Sequence, residues 1–197
     1  FEPFRIPSGS MYPTLRVGDY LFVSKYTYGY SRYSFPAGLP LFEGRVWYDT
    51  PQRGDVVVFR PTNKPNTDFI KRIIGLPGDR VQVKEGRLYI NDQKIEREET
   101  ERYVIDEYVE LPEFYHQYTE TLPEGKQHGI IEISDNERVV DNTDVFEVPE
   151  DSYLMLGDNR NDSWDARYWT NPYVKEDKIL GKAAVIYWPV HDIGKLE

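Results

Sequence analysis

The chain of 197 residues carries 24 Lys and Arg against 34 Asp and Glu, a net charge of −10, and 39% of it is hydrophobic. That composition supports a sizeable globular core and argues against broad, nonspecific nucleic-acid binding, which depends on neutralising phosphates. With no cysteine, disulfides, thiolate nucleophiles and Cys-ligated zinc are excluded as well.

No run of about 18 apolar residues is present, so no segment reads as a membrane span. The sequence opens on Phe1-Glu2-Pro3-Phe4-Arg5-Ile6, with neither an initiator Met nor a signal peptide, so a preceding segment such as an anchor is expected. The predicted elements that follow are short runs rich in Val, Ile, Tyr and Phe, bounded by Gly, Pro, Asn or Asp. In chain order they cover residues 20–23, 55–59, 69–74, 80–83, 87–90, 129–133, 153–156 and 183–188. Turns are expected at Arg53-Gly54-Asp55, Pro77-Gly78-Asp79 and Asn91-Asp92. No long window has a helical period, so the expected fold is mainly β and antiparallel rather than a layered α/β arrangement. From about residue 96 to 149 the chain turns acidic and polar. There Glu98-Glu99-Thr100-Glu101, the 121–126 stretch and Ser134-Asp135-Asn136-Glu137 interrupt weak apolar patterns. The expected organisation is a core built from residues 1–79 plus 150–197, with a smaller β-rich cap inserted at 80–149.

Three segments are suited to chemistry. In Ile6-Pro7-Ser8-Gly9-Ser10-Met11-Tyr12-Pro13-Thr14-Leu15, prolines fix φ on either side, Gly9 permits backbone geometry closed to other residues, and two hydroxyls lie two positions apart. Such a stretch is either a stiff turn or the presenter of a serine nucleophile, which needs a neighbouring base to take its proton. In Phe69-Ile70-Lys71-Arg72-Ile73-Ile74, strand alternation puts Phe69, Lys71 and Ile73 on one face and Ile70, Arg72 and Ile74 on the other. Lys71 or Arg72 must therefore enter dry surroundings. Arginine stays charged there, whereas a buried lysine loses its proton and becomes a base; an edge-strand lysine snorkelling to water is the alternative. The third segment, Leu156-Gly157-Asp158-Asn159-Arg160-Asn161-Asp162-Ser163-Trp164-Asp165-Ala166-Arg167, reads as a polar loop at the end of an apolar strand. It fails the EF-hand pattern, since Arg160 and Ser163 fall where a ligand and a glycine are required. His116, His128 and His191 lie away from both other segments, and surface histidine is their default reading.

Together and in this order, Pro7 to Leu15, Lys71-Arg72-Ile73-Ile74-Gly75-Leu76-Pro77-Gly78-Asp79 and Gly157 to Ser163 resemble the type I signal peptidase family of bacterial Ser/Lys endopeptidases. The resemblance implies that the core is catalytic, with Ser10 as nucleophile and Lys71 as general base. It implies that Ser8 contributes to the oxyanion hole and Ser163 orients the lysine amine, while Asp158, Arg160, Asp165 and Arg167 support the loop. No metal or cofactor is implied. The implied partners are the signal peptides of preproteins, cut after small residues as in Ala-x-Ala, and the implied location is the outer face of the bacterial cytoplasmic membrane.

Phe4, Ile6, Pro7, Met11, Leu15, Phe69 and Ile70 are candidates to line shallow pockets for those small residues, with ordinary core as their other reading. Phe1, Phe4, residues 35–41 and Trp47 are candidates for a surface that rests on the lipid bilayer, an adsorption that the net charge of −10 opposes unless the acidic cap faces away. Two competing readings are a self-cleaving Ser/Lys repressor-type protease, which would need a partner module and an internal cut site, and a catalytically inert β-rich binding domain. The sequence leaves the oligomeric state open.

Overall fold

The computed structural model describes residues 2–24, 49–61, 64, 66–105, 113–135, 138–189 and 193–195. Its strands are β1 (Glu2–Arg5), β2 (Tyr20–Ser24), β3 (Val56–Phe59), β4 (Phe69–Gly75), β5 (Arg80–Lys84), β6 (Arg87–Ile90), β7 (Gln93–Lys94) and β8 (Glu96–Ile105). They continue with β9 (Glu113–Thr121), β10 (Gln127–Glu132), β11 (Phe146–Glu147), β12 (Ser152–Leu156), β13 (Tyr173–Lys175), β14 (Ile179–Trp188) and β15 (Gly194–Lys195). The molecule is mainly β, with antiparallel sheets. No helix among the described residues is long and apolar enough to cross a membrane.

The largest sheet runs β1-β2-β14-β3-β4-β12-β13, with β15 on β14, and so draws its strands from both ends of the chain. Strand β3, Val-Val-Val-Phe, is buried throughout, as a central strand covered on both faces must be. Alternation along β4 sorts its side chains as expected. Phe69 and Ile73 join a cluster with Val57, Phe59, Tyr153 and Met155, whereas Ile70 packs with Met11, Leu15, Val56 and Val58. Ile74 enters a third cluster, shared with Val81, Leu88, Ile90, Leu122 and Leu154. That cluster joins the large sheet to a smaller one, β11-β5-β6-β7, so the packing is continuous across residues 75–80.

Between β7 and β11 lies a third sheet, β10-β9-β8. Its longest strand corrects the sequence reading: Glu98-Glu99-Thr100-Glu101 does not interrupt a pattern but lies inside β8. The strand is exposed over most of its length, so its alternation is not hydrophobic and low strand propensity hides it. The expected Asn91-Asp92 turn is present, with both residues at positive φ (52° and 63°) between β6 and β7. Phe1, residues 35–41 and Trp47 lie outside the described residues.

Phe59 is fully buried, with its ring centroid 6.1 Å from that of Phe69 and 5.9 Å from that of Trp169. Phe59→Ala is expected to destabilise the fold by about 3–5 kcal/mol through lost transfer energy and an unfilled cavity, read from the urea unfolding midpoint.

Candidate active site

Ser10 sits in a 3-10 turn, Gly9–Met11, between β1 and β2, and is nearly buried at 7% exposure. Extended backbone at Ser8 (φ −142°, ψ 156°) leads into it. Gly9 is required here by close approach rather than by an unusual φ. A Cβ at that position would lie 2.3 Å from Cε2 of Tyr12, whose ring folds back over the turn. Tyr12 in turn packs against Tyr115 and Ile131 of the third sheet, so the serine turn is clamped between two sheets.

Lys71 projects from β4, and its Nζ is hydrogen-bonded to Oγ of Ser10 at 2.6 Å. Both residues left open by the sequence turn out to be dry: Lys71 is 3% exposed and Arg72 2%. They are treated differently. Arg72 donates Nε and Nη2 to the two carboxylate oxygens of Asp158 (2.8 and 2.7 Å) and Nη1 to the Gly54 carbonyl (2.7 Å). Lys71 has no carboxylate within salt-bridge reach among the described residues. Burial pushes its amine down from 10.5 to about 8, against the opposing pull of Asp165 and Asp158. A hydroxyl bonded to an amine that gives up its proton this readily is the arrangement an activated serine requires.

The loop after β12 surrounds the pair. Asn159 donates its backbone N–H to the Ser10 carbonyl (3.1 Å) and its Nδ2 to the Gly9 carbonyl (3.2 Å). Asp158 also accepts a bond from Thr14 Oγ1, and Asp165 pairs with Arg167 while accepting the Gly157 N–H at 3.0 Å. Arg167 passes a further bond to the Arg160 carbonyl (2.9 Å), and Arg160 is held by Glu120. A Cβ on Gly157 would stand 2.1 Å from Ser163 Oγ and 2.5 Å from the Ser10 carbonyl oxygen, so only glycine fits. Burial alone would raise the Asp158 carboxyl, but the charge and two hydrogen bonds of Arg72 outweigh it and hold the group below the usual carboxylate range.

The structure gathers Ser8, Ser10, Lys71 and the 157–167 loop in one place. Ser8 is exposed, with its Oγ 3.4 Å from Ser10 Oγ. Ser163 Oγ is buried and is not hydrogen-bonded to the Lys71 amine in this state, lying instead near enough to Asp165 to help hold that carboxyl down. Of the pocket candidates, Ile6, Met11 and Leu15 are sealed in the core and Pro7 is exposed, while Phe4 and Ile70 sit partly exposed at the margin of that same cluster. Phe69 belongs instead to the cluster of Phe59 and Trp169. The surface reading fails for His128, whose side chain is 2% exposed with Nε2 3.3 Å from Glu120, whereas His116 is partly exposed beside Glu99 and His191 is outside the described residues.

The sequence reading missed the site roles of Arg72, Thr14 and Asn159, although each lies in or beside a quoted motif. Glu120 had no sequence signal at all, being one carboxylate of many in an acidic stretch. Among the described residues no group of three or more His, Asp and Glu is gathered as a metal would need.

A family model described as signal peptidase, peptidase S26, matches residues 1–188. Similar curated proteins include signal peptidase I of Rickettsia felis, 44% identical over 207 residues that cover 98% of this chain and 76% of that protein. Signal peptidase I of Rickettsia conorii is 43% identical over 206 residues, with the same shares covered. Among solved structures, a signal peptidase I from Enterococcus faecalis V583 overlaps with a TM-score of 0.39 at 24% identity, over 68% of this chain and 97% of that one.

Asp158→Asn is expected to cost about 3–5 kcal/mol at neutral pH, because it leaves the Arg72 guanidinium buried and unpaired. The folded carboxyl titrates below its unfolded value of about 3.9, so its contribution is full above that pH and is lost as pH falls through the lowered folded value. Urea unfolding of parent and variant should therefore show a stability gap that narrows in acid. A gap constant with pH would contradict the ion-pair assignment.

Proposed function

This chain belongs to the signal peptidase family, peptidase S26, and we propose that within it Ser10 and Lys71 form the dyad that cuts the signal peptide. Family membership makes the protein a serine peptidase, signal peptidase I, acting on the signal peptides of preproteins. The observation that carries the dyad reading is the 2.6 Å bond between Ser10 Oγ and a buried Lys71 amine whose pKa is about 8.

In this reading neutral Lys71 takes the Ser10 proton as Oγ attacks the scissile carbonyl. The resulting oxyanion is met by the Ser8 hydroxyl and by backbone N–H at the Ser10 turn. The lysine then returns the proton to the leaving amine, freeing the mature chain and leaving the signal peptide as an ester on Ser10. Water attacks that ester as it gives a proton to Lys71, and the amine passes that proton to the departing Ser10 Oγ, which releases the signal peptide's carboxyl group and restores the hydroxyl and the neutral amine. Ser163, with a buried hydroxyl beside Gly157, is the group that would meet the amine as its protonation changes.

Small residues before the cut fit a site whose walls are Phe4 and Ile70, the two partly exposed members of an otherwise closed cluster. Residues 80–149 are read as a cap on the catalytic core. A bilayer-facing surface is favoured at the end of β14, where Trp188 (53% exposed) and, after it, Ile193 (57%) present apolar area near the substrate-side strands β1 and β2.

Ser10→Ala and Lys71→Ala are each expected to abolish cleavage of a preprotein ending its signal in Ala-x-Ala, with unfolding midpoints showing that both variants stay folded. A parental rate in either would sink the dyad. Because the neutral amine is the active form, kcat/KM should rise with pH and reach half its plateau at about 8. A plateau already complete at pH 6 would rule out Lys71 as base. For the surface, Trp188→Ala with Ile193→Ala should reduce co-sedimentation with zwitterionic phosphatidylcholine vesicles; unchanged sedimentation would move the contact elsewhere.

A further inference from the structure

Arg160 lies in the site loop but finds its partner outside the large sheet. Its Nη1 and Nη2 donate to the two carboxylate oxygens of Glu120 at 2.9 and 2.5 Å, a bidentate geometry that fixes the guanidinium plane. Both groups are buried: Arg160 is 6% exposed and Glu120 2%. Glu120 stands on β9, directly across from His128 on β10 and Arg97 on β8. The third nitrogen of Arg160, Nε, donates to the Gly157 carbonyl at 3.2 Å.

The two ends of this short loop segment are also stitched to the third sheet through backbone. The Ile131 N–H donates to the Asp158 carbonyl (3.0 Å), and the Arg160 N–H donates to the Ile131 carbonyl (2.9 Å). Asn159 is thus held between two anchored neighbours, and Asn159 is the residue whose N–H and Nδ2 carry the carbonyls of Ser10 and Gly9. A chain of direct contacts therefore runs from the Glu120 carboxylate to the backbone of the serine turn. Every link is a direct hydrogen bond or a covalent step of one residue, so a displacement at Glu120 reaches the serine turn through a short connected path.

We propose that Glu120, supplied by the inserted sheet, is a positioning residue for the peptidase reaction: through Arg160 it sets the Gly157–Asn159 backbone that holds Ser10 against Lys71. This rests on the dyad reading above. The chemistry asks for such a device because the Ser10 oxygen and the Lys71 nitrogen come from different segments and must stay within hydrogen-bond reach as the proton moves. It also gives the inserted sheet a part in turnover rather than a covering role alone.

The test separates positioning from stability. Glu120→Gln keeps the shape but strands a buried guanidinium, and the expected result is a kcat lowered at least about tenfold with KM for an Ala-x-Ala preprotein within about twofold. Glu120→Leu combined with Arg160→Met replaces the buried pair by apolar groups of similar size, a change that commonly restores stability. That double variant should regain the parental Tm and keep the low kcat. If kcat returns together with Tm, or if Glu120→Gln has parental kcat, the positioning role is overturned. Should Glu120→Gln fail to fold, Glu120→Asp, which retains the charge and shortens the reach, is read the same way. Lys71→Ala measured alongside distinguishes the two claims. Activity in Lys71→Ala defeats the dyad, whereas an inactive Lys71→Ala beside a fully active Glu120→Gln defeats this inference alone.

Discussion

A buried amine with no carboxylate of its own is the constraint on which the rest of the molecule depends. Lys71 can serve as a base near neutral pH only while its cation is disfavoured, and two carboxylates, Asp158 and Asp165, stand near enough to restore it. Each is occupied by an arginine: Asp158 by Arg72, the next residue on the same strand, and Asp165 by Arg167. The ion pairs around the lysine are therefore part of what keeps it neutral, since each guanidinium offsets an anion that would otherwise hold the proton on. The arrangement has a thermodynamic cost. The folded protein releases the Lys71 proton at about 8 against 10.5 for a free lysine, so the buried cation works against the fold below about 8 and ceases to do so as pH rises between those values.

Apolar packing makes that dryness possible. Strands β3 and β4 place Lys71 beside Val57 in register, and the clusters on either face of the pair close off water above and below it. The serine turn is fixed from three sides: by its own insertion under Tyr12, by the carbonyl contacts of Asn159, and by the third sheet through Tyr115 and Ile131. None of these contacts is strong singly. Their common effect is that Ser10 has little freedom to leave Lys71.

The central strands of the large sheet were legible because they are covered, so that Val56 to Phe59 and Tyr153 to Leu156 are apolar along their whole length, whereas β1, β13 and β15 carry no such run and were not foreseen. Strands β8 and β9 escaped notice for the opposite reason. They pair through backbone while β8 is exposed over most of its length and β9 buries Tyr115 and Glu120 among half-buried polar residues, so their Glu, Arg and Thr carry no apolar period that differs from a loop. The serine and lysine segments could be singled out from residue type, yet each had an ordinary alternative until the structure joined them. What sequence could not supply was pairing at a distance. Asp158 is an acidic loop residue in the sequence and the counter-charge of Arg72 in the fold; Glu120 is one of many glutamates until Arg160 reaches it. His128 was misjudged for the same reason, since only the fold sets it in a buried place beside the Glu120 carboxylate.

The position of β14 has a consequence for how activity arises as the chain is made. Strands β1 and β2 flank the Ser10 turn, and β3 and β4 carry Lys71, but these two pairs do not touch along the sheet: β14 lies between them. Ser10 and Lys71 both precede in the chain the strand that joins their supports, β14 at residues 179–188. Closing so long a loop is slow compared with forming local hairpins, and it cannot begin until residues 179–188 are present. A nascent molecule would hold both reactive groups without the frame that brings them together. Holding Ser10 and Lys71 together in the frame of the large sheet is in this way tied to the docking of β14.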